Sequence, residues 1–127
     1  MTITQATLDI ETYFSDNYVF CEIDYLQPSF TPTGDKWLQL SVAPINSDVV
    51  SYTNCTQQTF DIHLVGYGNG NKRDASQVID EAISLIQTKE IGTGLHTKSW
   101  RTNASGVDES GVYFHKVIIE CYSTLIS

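Results

Sequence analysis

The sequence predicts an α+β domain with a mostly antiparallel sheet of about five strands flanked by two helices, in the order α-β-β-β-α-β-β. Apolar residues recur at spacings of three and four near the start and in the middle of the chain, as in amphipathic helices. Elsewhere they alternate with polar residues, as in half-buried strands. Glycine and proline separate these segments. The 127 residues are expected to form a single domain, spanning 1–127.

The first element is predicted to be a helix from about residue 4 to residue 15, capped by Thr2 or Thr4. Its apolar stripe consists of Ile3, Ala6, Ile10, Tyr13 and Phe14. A stripe of this kind packs against a sheet.

Three strands are predicted to follow this helix. Residues 19–25 alternate between apolar side chains and the carboxylates Glu22 and Asp24. The same period of two recurs around Leu38 to Val42 and around Phe60 to Leu64. Each of these strands therefore has one apolar face and one polar face.

A second helix is predicted to begin at Asp74, because Asp74 and Gln77 form a capping-box pattern. It should end between residues 89 and 92, where a lysine and a glycine suit a helix C-terminus. Strands are then expected at 95–102 and 112–122, joined by a loop at 103–111. Residues 112–122 are apolar on both faces, which is typical of a central strand or of an edge that meets a partner. The apolar stripe of the helix consists of Ala75, Val78, Ile79, Ala82, Ile83 and Ile86.

Composition excludes several classes of protein. No apolar run approaches the roughly 20 residues of a membrane helix. The first residues lack the regions of a signal peptide, so we expect a protein made in the cytoplasm. Cys21, Cys55 and Cys121 have no metal or disulfide spacing and are expected to be reduced thiols. No grouping of residues predicts catalysis, a cofactor or a metal, since His63, His96 and His115 stand singly.

Charge is distributed unevenly along the chain. The net charge is −8, and the first 35 residues contain six carboxylates and no lysine or arginine. Proteins that bind nucleic acid tightly have the opposite balance. An acidic surface suits a protein past which DNA must slide, although it also serves solubility alone.

Two segments are candidates for contact with another protein. Residues 66–70 are rich in glycine and precede Lys72 and Arg73, but they lack the Gly-Lys-Ser/Thr ending of a phosphate-binding loop. We expect them to form a turn that projects from the sheet. Phe30 lies between Pro28 and Pro32, and this stiff loop would lose little entropy on docking. Trp37, by contrast, is expected to pack in the core.

The order of these features resembles that of the tail terminator (tail completion) proteins of long-tailed bacteriophages and of related neck proteins. The resemblance rests on residues 25–82: a strand that ends at a Phe-x-Pro loop around Phe30, a strand that begins at Trp37, and a strand that runs through a Gly-x-Gly turn at Gly66 into a helix.

The resemblance implies a non-enzymatic structural protein of the virion tail or neck, without cofactors, that assembles in the host cytoplasm. It implies a ring, expected to hold about six copies. The ring would cap the tail tube, stop its elongation and join it to the head-tail connector. DNA would be passing cargo only, and no membrane would be involved. Lys72 and Arg73 would meet the acidic N-terminal region of the next subunit.

The residues expected at contacts with other subunits, the tube or the connector are Phe30, Gly66, Tyr67, Gly68, Asn69, Gly70, Lys72 and Arg73. The residues expected to face the bore are drawn from Asp9, Glu11, Asp16, Glu22 and Asp24.

Two alternatives remain open from the sequence. One is a different neck component, either a head-tail adaptor or a protein similar to the tail tube subunit. The other is a small ligand-binding α+β domain, which would need a concave pocket with convergent polar groups.

Overall fold

The fold is an α+β arrangement of two helices and one six-stranded mixed sheet, which confirms the predicted fold class. The computed structural model describes residues 2–50, 55–87, 90–92 and 94–126. Its elements in chain order are α1 (Ile3–Asn17), β1 (Glu22–Asp24), β2 (Lys36–Val50), β3 (Cys55–Asn69), α2 (Lys72–Ile86), β4 (Glu90–Ile91), β5 (Leu95–Val107) and β6 (Val112–Ile126).

The sheet has the strand order β1-β2-β3-β6-β5-β4. Only β1 and β2 pair in parallel, and the other neighbouring pairs are antiparallel. Strands β2 and β3 form one long hairpin, and β5 and β6 form another. Strand β6 is central, which is one of the two positions predicted for it. The sixth strand, β4, is only two residues long and was not predicted, because so short a segment has no detectable period.

The core lies between the helices and one face of the sheet. The predicted stripe of α2 is buried in full, and α1 buries Ala6, Ile10 and Phe14. The sheet contributes alternate residues, as expected for a strand with one buried face. Those that are buried include Leu38, Leu40, Phe60, Ile62, Leu64, Leu95, Val117, Ile119 and Cys121.

Hydrogen bonds fix α1 in place. The Thr2 side chain accepts from the Gln5 backbone N–H at 3.1 Å and caps the helix, as predicted. The Tyr13 hydroxyl donates to the Leu85 carbonyl oxygen at 3.1 Å, and the Tyr18 hydroxyl donates to the Val78 carbonyl oxygen at 3.0 Å. Burial raises the pKa of the Tyr18 hydroxyl, which therefore remains a donor. These two bonds hold α1 against α2.

The ends of α2 differ from the prediction. The capping residue is Asn71, whose side chain accepts from the Arg73 N–H at 2.8 Å, so the proposed capping box at Asp74 is wrong. Two turn-forming residues, Gly70 and Asn71, precede the helix and let it begin earlier. The helix ends at Ile86, whose carbonyl oxygen accepts a hydrogen bond from the buried Thr97 hydroxyl. This bond ties the end of α2 to β5.

The glycine-rich segment is not a projecting turn, and that prediction is wrong. Gly66 and Gly68 lie within β3 and are buried beneath the start of α2. A Cβ atom at Gly66 would lie 2.4 Å from the Ala75 carbonyl oxygen, and one at Gly68 would lie 2.5 Å from the Asn71 carbonyl oxygen. Glycine is present here because helix and strand approach too closely for a side chain.

Several strands have other lengths than predicted. Strand β1 is restricted to three residues because only Glu22–Asp24 pair with β2. Strand β5 extends to Val107, so most of the expected loop is strand, and the turn occupies 108–111. Asp108 holds that turn by accepting hydrogen bonds from the N–H groups of Ser110 and Val112 at 2.9 and 3.0 Å.

Two thiols are described, and both are free. Cys121 is buried, and burial raises its pKa to about 12, so it is unreactive. Cys21 is half-buried, and its pKa is raised by burial as well. The side chain of Cys55 lies outside the described residues.

Candidate assembly surface

The sheet face opposite the helices is uncovered in the described part of the chain, and we call it the open face. Its side chains are the alternates of the buried ones in each strand. Those used below are Glu22, Asp24, Trp37, Gln39, Asp61, His63, Tyr67, His96, Lys98, Arg101, Lys116, Glu120 and Tyr122.

Aromatic pairs order two parts of the open face. Trp37 stacks on Tyr67 with ring centroids 5.1 Å apart, and the Tyr67 hydroxyl donates to the Gln39 side chain at 3.1 Å. Trp37 is therefore on the open face, and its predicted place in the core is wrong. Successive side chains of β2 point to opposite faces of the sheet. Because Leu38 and Leu40 point to the core, Trp37 points to the open face. Near the opposite edge of the open face, His96 stacks on Tyr122 with ring centroids 5.2 Å apart.

Charged pairs cross the strands of the open face near β5. Lys98 Nζ lies 3.3 Å from a Glu120 carboxylate oxygen, and Arg101 Nη2 lies 3.8 Å from an Asp61 carboxylate oxygen. Both cations are largely exposed, so these pairs stabilise the fold little. Burial, together with Lys116, lowers the pKa of His63, which is therefore neutral at pH 7.

The loop that follows β1 is held by its carboxylates. One Glu22 carboxylate oxygen accepts from the Thr33 N–H at 2.8 Å, the Thr33 hydroxyl at 2.9 Å and the Gly34 N–H at 3.0 Å. The pKa of Glu22 is below its usual value, mainly because of the hydrogen bonds from Thr33. Asp24 accepts from the Gln27 N–H at 3.2 Å. Glu22 therefore remains charged, and hydrogen bonds fix both carboxylates at this edge of the sheet.

Leu26, in the same loop, has a backbone conformation that is unusual for its type. Its φ angle is 63°, in the left-handed region that costs a non-glycine residue roughly 1–2 kcal/mol. Its side chain is 53% exposed. A strained, exposed leucine is therefore a candidate for contact with another protein.

The predicted contact residues do not form one surface. Gly66 and Gly68 are buried beneath α2, and Tyr67 points to the open face. Phe30 is half-buried in its loop, where its N–H donates to the Gln27 carbonyl oxygen at 3.1 Å. The remaining four lie together and exposed at the corner between β3 and α2: Asn69, Gly70, Lys72 and Arg73.

The predicted bore-facing carboxylates lie on two sides of the molecule. Asp9, Glu11 and Asp16 are on α1, on the helix side of the sheet. Glu22 and Asp24 are on the open face. One bore-facing surface can therefore contain one group or the other, but not both.

Comparison with known proteins gives matches among solved structures. No protein-family model matches the chain, and no curated protein matches it. Among solved structures, a chain from the virion of a native gene transfer agent particle superposes with a TM-score of 0.63. The two chains share a fold. The superposition covers 94% of this chain and 93% of that chain at 8% sequence identity.

Other kinds of site have little support in the described residues. No group of three or more histidine, cysteine, aspartate or glutamate residues within the described ranges could hold a metal ion. Among the described residues no helix is long and apolar enough to span a membrane.

Sequence reasoning missed Lys98 and Arg101 of β5 as candidate contact residues. Lys98, Trp100 and Arg101 lie on the outermost long strand of the sheet, and Trp100 is 42% exposed. One signal was present in the sequence: residues 95–107 contain two cations and no carboxylate, in a chain of net charge −8.

Proposed function

We propose that this chain is a structural protein of a phage-like virion. The observation that carries the proposal is the shared fold with a chain of a gene transfer agent virion, over 94% of one chain and 93% of the other. Since the superposition spans both chains almost end to end, it concerns the whole folded unit rather than one recurring motif.

Within the virion, we propose that the chain is the tail terminator, a ring that caps the tail tube and joins it to the head-tail connector. The support is the order of features in residues 25–82, from the Phe30 loop to the glycine segment and α2. One face of the ring would complement the tube protein. The other face would not recruit a further tube ring and would bind the connector. This role involves no chemical reaction.

Two exposed features would serve as contacts with neighbouring proteins. One is the corner of Asn69, Gly70, Lys72 and Arg73, and the other is the loop that contains Leu26 and Phe30. Both lie at the ends of strands, where a neighbour can reach them without disturbing the sheet. Lys72 and Arg73 remain candidates for contact with acidic residues of the next subunit.

For the bore we favour α1 over the open face. Helix α1 carries Asp9, Glu11 and Asp16 and no lysine or arginine, so its surface repels phosphate throughout. The open face mixes its carboxylates with Lys98, Arg101 and Lys116, which would retard passing DNA.

The proposed function can be tested by deleting the gene for this chain from the genome that encodes the particle. Tail length is then measured by electron microscopy. We expect overlong tails without heads, because nothing stops addition of tube rings. Supplying the wild-type chain from a plasmid should restore normal length, which is the control for the deletion itself.

The same experiment distinguishes the alternatives. Tails of normal length that fail to join heads would indicate a head-tail adaptor. Loss of all tails would indicate a tube subunit. Normal, infectious particles would contradict a structural role and would leave a small ligand-binding domain as the better account.

A further inference from the structure

Strand β5 has a free edge over most of its length. Among the described residues it pairs with β4 at Leu95 and His96, and no described strand lies beside the outer side of residues 100–107. The inner side pairs with β6, with register irregularities between Thr97 and Trp100 and between Thr102 and Ala104. These irregularities leave regular stretches of only three to four residues, which protects the edge from indiscriminate pairing.

The free edge of β5 is basic and partly apolar. Lys98 and Arg101 lie on its open-face side and are 45% and 60% exposed. Lys98 lies 3.3 Å from Glu120, and Arg101 lies 3.8 Å from Asp61. Each cation has further N–H groups that can donate to a second carboxylate. Trp100 and Val107 are exposed large apolar residues on the same strand. Lys72 lines the same groove as Val107 and adds a further positive charge.

The opposite edge of the sheet is β1, which is acidic where the β5 edge is basic. No further strand pairs with its outer side in the described part of the chain. Glu22 and Asp24 place two negative charges on the open face, and no lysine or arginine occurs before Lys36. Leu26, 53% exposed, follows two residues after the strand. At three residues, β1 has the same length as the regular stretch of β5 at residues 100–102.

We propose that the β5 edge of one copy of this chain pairs with the β1 edge of the next copy, so that the sheets of neighbouring subunits become continuous. The partner is a second copy because both complementary edges belong to the same chain, at opposite ends of one sheet. This inference specifies the subunit contact of the proposed ring and rests on that proposed function only for the ring's place in the particle.

Charge favours this head-to-tail contact over a symmetric one. Two β5 edges paired with each other would bring Arg101 close to its own copy, and two β1 edges would oppose carboxylate to carboxylate. In the head-to-tail contact, Arg101 opposite Asp24 places both side chains on the open face, as the period of two in strands requires. The contact is heterologous, so successive copies form a ring when the rotation between them closes.

Carbodiimide cross-linking tests the contact directly, since it joins a lysine amine to a carboxylate that touches it. We would mix isotopically light and heavy copies of the chain and identify cross-links by mass spectrometry, using concentrations up to the solubility limit. The expected result is a light–heavy link from Lys98 to Asp24 or Glu22. The link from Lys98 to Glu120 within one copy, at 3.3 Å, is the internal control for reactivity.

Charge variants give a second measurement, self-association by analytical ultracentrifugation. Arg101→Glu and Asp24→Arg should each weaken self-association at least about tenfold, because each opposes like charges in the contact. The matched control is Lys116→Glu, which reverses a charge on the open face of the central strand β6 and should have no effect. Thermal melting of each variant checks that it folds.

Three outcomes would overturn the contact: no light–heavy link from Lys98 to β1, a symmetric link within β5, or wild-type association in both edge variants. Asp24→Arg separates the two geometries, because a β5–β5 contact would be unaffected by it. Failure of the tail-length experiment with these links present would remove the terminator function and leave the subunit contact. Overlong tails in the deletion experiment, without these cross-links, would remove only the proposed subunit contact.

Discussion

Replacing Gly66 with alanine is expected to lower the free energy of unfolding by about 3 kcal/mol or more. The added methyl group would lie 2.4 Å from the Ala75 carbonyl oxygen, 2.9 Å from Ile79 Cγ1 and 3.1 Å from Val78 Cβ. The nearest of these atoms belongs to the backbone of α2, so relief requires the helix to move away from the sheet. Urea denaturation followed by circular dichroism measures the loss.

Gly34→Ala is the matched control for this change. A Cβ atom there would have ordinary contacts, 3.8 Å from a Glu22 carboxylate oxygen and 3.9 Å from the Lys36 carbonyl oxygen. We expect its stability to remain within about 0.5 kcal/mol of wild type. Equal stability of Gly66→Ala and Gly34→Ala would show that α2 does not approach β3 this closely.

Replacing Phe14 with alanine is expected to cost about 3–5 kcal/mol, through lost burial and the cavity that remains. Phe14 is fully buried, and its ring lies 6.4 Å from the Tyr13 ring and 5.9 Å from the Tyr18 ring, centre to centre. These rings form the attachment of α1 to the core. The midpoint of the same urea transition measures the effect.

Leu8→Ala on the same helix is the control, because Leu8 is 55% exposed and makes no part of the core cluster. It should change stability by no more than about 0.5 kcal/mol. A small effect of Phe14→Ala, similar to that of Leu8→Ala, would mean that α1 is not anchored by this residue.

The helices were predicted well because their stripes are local and regular. Every predicted apolar position of α2 is buried, and Thr2 caps α1 as the sequence indicates. The alternation around Leu38 and Phe60 likewise identified the buried faces of β2 and β3. Periodicity carries this information without reference to the rest of the fold.

The errors arose where a residue's role depends on a distant partner. Gly66 resembles a turn residue in sequence, and only the position of Ala75 on the helix above shows that it is a packing residue. Trp37 alternates with the buried Leu38 and is half-buried on the open face, where it stacks on Tyr67, a partner 30 positions along the chain. The charges of β1 and β5 become complementary only when the strand order places them at opposite edges.

The proposed place of this chain in the virion can be measured directly, by imaging purified particles labelled with gold-conjugated antibodies raised against it. We predict label at one position on each particle, where the tail meets the head. Label along the whole length of the tail, or particles that carry none, would contradict the proposal.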